Sequence, residues 1–205
     1  MDQLTAMLGQ RGHALLIDCR ALDVEAIRLP DSYAVLVMHS GVPRTLAGSA
    51  YGERRRVCEA IAARLGLAAL RDATLDQVRD EPLARHVVSE NRRVLELAEA
   101  LRAGDVEKLG PLLLASHASL RDDYEVSTPE LDLAVDLLVE HGAIGARLTG
   151  AGFGGCVVAL VERPHAGDAA AKTVARYRAE TGLDALAFAV DAVDGAGPVE
   201  PPLDT

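Results

Sequence analysis

The stretch Leu148-Thr149-Gly150-Ala151-Gly152-Phe153-Gly154-Gly155-Cys156, followed by Val157-Val158-Ala159-Leu160-Val161, restricts the possible folds of this chain more than any other segment. Four glycines in six positions let the backbone take positive φ angles and remove the Cβ atoms that would hold a neighbour away. The run reads as a tight bend with something lying close against it. That could be an anion such as phosphate, held by successive N–H groups, or the backbone of an adjoining element. Gly150, Gly152 and Gly155 also fit the G-x-G-x-x-G spacing of dinucleotide-binding proteins, which has to follow a strand and open a helix. Here the bend is followed by a β-branched and aliphatic run that stops at Glu162-Arg163-Pro164. This predicts a buried strand, and the nucleotide fingerprint fails its context.

The rest of the chain supports a globular α+β domain. With 205 residues and 49% hydrophobic content there is enough material for a core. A formal net charge of −10 argues against a nucleic-acid or anionic-membrane partner, since both attract basic faces. Cys19, Cys58 and Cys156 are odd in number and widely spaced, so neither a disulfide framework nor a metal cluster is implied, and a reducing cytoplasm fits. No apolar run reaches the roughly 18 residues of a membrane span and no signal pattern opens the chain, so a soluble protein that is not exported is expected.

Strands are predicted over 14–19 and 35–39, with 24–29 as a hairpin partner. Helices are predicted over 53–65, with Val57, Ile61 and Leu65 on one stripe, and over 84–101, with Val87, Val88, Val94, Leu95, Ala98 and Leu101 as the buried side. A further helix is expected over 106–119. Arg54, Arg55 and Arg56 read as a solvated face. His117 has no visible metal-binding companions and reads as a hydrogen-bonded structural histidine. Asp122 and Asp123, being adjacent, point apart and read as a polar helix end. Ser127-Thr128-Pro129-Glu130 predicts a helix start with Ser127 as cap and Glu130 closing a capping box, followed by a stripe of Leu131, Val135, Leu138 and Val139. An alanine-rich helix over 166–181 and a strand over 185–190 complete the pattern.

Four separated segments carry a resemblance. Residues 149–156 resemble the third motif of the GHMP kinases in its galactokinase form. Residues 116–132 (Ser116-His117-Ala118-Ser119 through Leu131-Asp132), the strand Leu15-Leu16-Ile17-Asp18-Cys19-Arg20, and Ser40-Gly41-Val42-Pro43-Arg44 through Tyr51 are similar to galactokinase segments in the same order. Met1-Asp2-Gln3 ahead of His13 resembles the family's catalytic triplet. The resemblance implies a galactokinase C-terminal portion: a two-layer GHMP-kinase C-terminal domain, with a largely antiparallel sheet covered by helices. It divides the chain into a remnant of the N-terminal lobe (1–30), the C-terminal domain (31–194) and a flexible tail (195–205).

The implied reaction transfers the γ-phosphate of ATP, with Mg2+, to the C1 hydroxyl of galactose in the cytoplasm, by a protein that is monomeric at full length. Asp2 would be the catalytic base and Tyr51 a sugar contact. Gly150, Gly152, Gly154 and Gly155 would form the active-site loop, and no metal ligand lies in this chain. The family's phosphate loop and magnesium ligands fall ahead of the triplet and are missing from this sequence. It therefore reads as truncated and inactive alone. The alternatives are a non-catalytic sugar- or partner-binding module, or a kinase for another sugar such as N-acetylgalactosamine.

Overall fold

The computed structural model describes residues 2–43 and 47–197. Helix α1 (Asp2–Leu8) precedes the hairpin β1 (His13–Asp18) and β2 (Asp23–Arg28), then β3 (Tyr33–His39) and α2 (Ala47–Arg64). Two short 3₁₀ turns lead to α3 (Pro82–Ala103), α4 (Val106–Asp122), α5 (Pro129–Glu140), β4 (Ala143–Thr149), β5 (Cys156–Glu162), α6 (Ala166–Thr181) and β6 (Leu186–Val190). Arg44, the cation expected in the segment before Tyr51, lies outside the described residues.

The hairpin forms a two-stranded sheet of its own. The other four strands make one sheet in the order β4-β5-β3-β6, antiparallel at every pairing. Period-2 alternation decides which face is covered. Ala34, Leu36 and Met38 of β3 lie with Val157, Ala159 and Val161 of β5 on the side that packs against Leu131, Val135 and Leu138 of α5 and Ala166, Ala169 and Tyr177 of α6. Leu36, Leu131, Leu138 and Leu148 are fully buried, and each contributes about 1.5–3 kcal/mol relative to exposure. Tyr177 keeps its hydroxyl satisfied in this core by donating to the Ser40 carbonyl at 2.9 Å. The α+β expectation therefore holds.

Helix α4 covers β4, an outer strand of the sheet, and this removes an edge that would otherwise offer unpaired backbone groups. The approach is close enough that a Cβ on Gly110 would lie 2.0 Å from the Ile144 carbonyl oxygen. The Leu148 amide donates to Nδ1 of the buried His117 at 3.3 Å, which makes that histidine the structural residue the sequence suggests.

Three local expectations are corrected. The cap of α5 is Thr128, whose hydroxyl accepts from Leu131 N at 3.3 Å. Ser127 instead donates to Asp132, so no capping box forms through Glu130. Val94 and Leu95 of α3 are exposed, at 40% and 50%, because α3 turns Ala84, His86, Ala98 and Ala100 inward. Finally, Gly195 and Ala196 are tied to α1, donating to Gly9 O at 2.8 Å and Ala6 O at 2.7 Å. Of the expected tail, residues 198–205 lie outside the described residues.

Candidate functional site

The glycine bend joins β4 to β5. Gly150, Gly152, Gly154 and Gly155 take φ of 80°, 78°, 116° and 85°, and Phe153 takes 59°. For a non-glycine residue that conformation costs about 1–3 kcal/mol and persists only where the surroundings impose it. Val126, between α4 and α5, accepts from Phe153 N at 2.8 Å, and a Cβ on Gly152 would sit 2.3 Å from the Val126 carbonyl oxygen. On the other side Ser40 N donates to Gly155 O at 2.8 Å, and a Cβ on Gly154 would meet Val42 at 3.0 Å. At these two glycines the close neighbour is the chain's own backbone. The part of the bend that faces solvent is the exposed Gly150 with the half-buried Ala151 and Phe153.

Tyr51 lies on α2 and is 47% exposed. Arg54, three residues on and so on the same side of the helix, reaches across to the bend. Its Nε donates to Tyr124 O and its Nη2 to Glu125 O, both at 2.6 Å, and its guanidinium carbon lies 5.1 Å from the centroid of the Phe153 ring, within cation–π range. The side chain is 15% exposed. This corrects the solvated-face reading for Arg54. The chain leaving α4 presents carbonyls with no helical partner, and Arg54 supplies their donors. Arg55 does pair along the helix with Glu59 at 2.8 Å, and Arg56 is exposed.

Asp2 opens α1 and is exposed. Among the described residues no hydrogen bond joins it to Tyr51 or to the glycines, and the principal clefts are lined by other residues. The structure thus brings Tyr51's helix to the bend and leaves Asp2 on a separate element. Among the described residues no group of three His, Cys, Asp or Glu side chains is arranged to hold a metal ion.

A partly buried polar network joins α3, α4 and β4. Glu90 of α3 receives Ser116, Arg93 at 2.7 Å and Arg147 at 2.9 Å. Burial would raise its carboxyl, but these three donors outweigh it and hold the carboxyl below its ordinary value. Nε2 of His117 lies 3.1 Å from Asp132 Oδ1. Burial lowers that imidazole's pKa, outweighing the nearby Asp132 carboxylate, which raises it.

His86 contacts Ser119 Oγ through Nδ1 at 3.0 Å and stacks on Tyr124 with centroids 4.6 Å apart. Burial, with Arg93 and Arg147 adding to it against Glu90 and Asp123, pushes His86 down from 6.5 to about 4. A histidine held neutral in this way contributes stability that is complete above about pH 6.5 and lost as pH falls through about 4, at most about 3 kcal/mol. Denaturant midpoints measured from pH 7.5 to 4 should fall more steeply for the natural chain than for His86→Phe. Parallel curves would show that His86 does not carry the effect.

Comparison with known proteins agrees with this architecture. The family described as GHMP kinases C terminal matches residues 97–179. A galactokinase of Roseiflexus sp. (strain RS-1) is 49% identical over 97% of this chain and 55% of its own length. A galactokinase of Chloroflexus aurantiacus is 48% identical over 89% of this chain and 50% of its own. The crystal structure of Lactococcus lactis galactokinase complexed with galactose superposes with a TM-score of 0.83 at 34% identity, covering 94% of this chain and 54% of that one. The chain spans about half the length of the curated relatives it matches.

Proposed function

We propose, because this chain belongs to the GHMP kinases and corresponds to the C-terminal part of a galactokinase, that it forms one wall of a site that phosphorylates galactose. In this reading the γ-phosphate of ATP passes to the C1 hydroxyl of the sugar. Asp2 accepts the hydroxyl proton, Tyr51 holds the sugar, and the solvent-facing tip of the glycine bend at Gly150 closes the site beside the sugar and the transferred phosphate. Phosphoryl transfer is mostly positioning and charge stabilisation, with a carboxylate placed for the proton. A surface that sets one tyrosine beside the glycine bend, with one acid supplied from the separate helix α1, is a suitable contribution.

The observation that carries the reading is the attachment of Tyr51's helix to the glycine bend through Arg54, which brings the candidate sugar contact and the candidate closing loop onto one rigid unit. Residues 1–30 are read as part of the other lobe, and the pairing of β1 with β2 outside the four-stranded sheet supports that division. Nucleotide binding, the magnesium that accompanies it, a cytoplasmic location and a monomeric full-length protein belong to the same proposal. Among the described residues no helix is long and apolar enough to cross a membrane.

The test is complementation. Residues 1–205 alone should form no ADP from ATP in a galactose-dependent assay. Fused behind the part of the Roseiflexus galactokinase that they do not match, they should form ADP with galactose and much less with N-acetylgalactosamine. Turnover by the 205 residues alone would refute the division of labour. A soluble, folded fusion with no turnover would refute the assignment itself.

A further inference from the structure

Three non-glycine residues among those described take positive φ: Leu22, Glu125 and Phe153. Two of the three meet at one side chain. Glu125, at φ 53°, gives its carbonyl to Arg54 Nη2, and the ring of Phe153, at φ 59°, lies beneath the same guanidinium. Strained backbone of this kind lasts only where neighbouring groups over-determine it. Between the two strained residues lies the hydrogen bond from Phe153 N to Val126 O, and the other end of the arginine is the helix that carries Tyr51.

We infer that Arg54 is a positioning residue that locks the Tyr51-bearing face of α2 to the glycine bend by holding Glu125 and Phe153 in their left-handed conformations. A planar guanidinium suits this task. Its fork supplies two donors to two successive carbonyls while its face stays free to lie on an aromatic ring, and lysine, with a compact ammonium, can do only part of this. The inference rests on the proposed sugar contact of Tyr51 for its functional consequence, but the coupling of α2 to the bend stands on the geometry alone.

Amide hydrogen exchange on the 205-residue chain tests the coupling. In Arg54→Met the Phe153 amide should exchange about tenfold faster or more, because the local opening that it reports becomes easier, while Val158 and Ala159 in β5 keep their rates. Arg54→Lys should fall between and guards against a variant that simply misfolds. An unchanged Phe153 rate overturns the inference, and so does equal loosening of β5, which would mean general destabilisation. In the fusion described above, the Arg54 variants should raise KM for galactose about tenfold while leaving KM for ATP and kcat within about twofold, the signature of lost binding rather than lost chemistry. A loosened bend with an unchanged galactose KM overturns the positioning of Tyr51. If the unmutated fusion does not turn over galactose, the proposed function fails and the exchange rates alone decide whether Arg54 couples the two elements.

Discussion

Replacing Gly110 with alanine is expected to lower the unfolding free energy by ~3 kcal/mol, in a helix position where alanine is intrinsically the better residue by about 1 kcal/mol. The reason lies in the approach of α4 to β4. An added Cβ at residue 110 would stand 2.0 Å from the Ile144 carbonyl oxygen and 2.9 Å from its carbon. From the other side, a Cβ on Gly145 would stand 2.6 Å from Gly110 O and 2.7 Å from its Cα. Both partners are backbone, so no rotamer change relieves the contact and the helix has to lift off the strand. Lifting it strains the bond from Leu148 N to His117, two residues before the glycine bend, so the damage would reach the candidate site as well as the core. For a chain of this size the expected loss corresponds to a fall of roughly 6–12 °C in melting temperature. Gly167→Ala in α6 is the control, because a Cβ there meets nothing within 4 Å. A Gly110→Ala chain that melts at or above the natural one would remove this account of how α4 is seated.

The elements that were legible in the sequence are those whose evidence is local. Val157 to Val161 announces β5 by β-branching and its charged stop, and the Leu131, Val135, Leu138 stripe gives α5 its buried face by helical period. The glycine bend was legible as a bend for the same reason: positive φ is a property of the residues themselves. What could not be read is settled by partners far away in the chain. Whether Arg54 is solvated depends on the carbonyls of Tyr124 and Glu125, seventy positions later, and the spacing of Tyr51 to Arg54 hints only that the two share a helix side. Ser127 and Thr128 are both competent caps. The choice between them is made by Asp132, which takes the Ser127 hydroxyl. Val94 and Leu95 fit an apolar stripe by period, yet α3 buries the neighbouring small residues instead, because α4 packs on that side. Gly152 and Gly154 are likewise filled by Val126 and Val42, so sequence could propose a close neighbour for the bend without saying whether it is a ligand or the chain itself.

Asp2→Asn, made in the fusion with the unmatched part of the Roseiflexus galactokinase, is expected under the proposed function to reduce galactose phosphorylation about 10²–10⁴-fold, the usual contribution of a positioned proton acceptor. Asparagine keeps the shape of the side chain and removes its ability to take a proton. KM for galactose should therefore change little while kcat carries the loss. Stability should be unaffected within about 0.5 kcal/mol, since an exposed side chain at the start of a short helix supports no core. That combination separates a catalytic base from an ordinary surface aspartate, for which both activity and stability would stay put. The C-terminal end of helix α1, which carries Asp2 at its start, is tied to residues 195 and 196 by backbone hydrogen bonds. Gly9 and Gly195 let α1 and residues 193–196 come into backbone contact, and a Cβ on Gly195 would lie 2.6 Å from the Met7 carbonyl oxygen. If Asp2 acts where α1 holds it, Gly195→Ala should also depress kcat by moving the helix, while leaving the four-stranded core and Tyr51, the proposed sugar contact, in place. A fusion in which Asp2→Asn retains activity within a few-fold of the parent would show that the proton is taken by another group, and the exposed carboxylate would then be a surface residue.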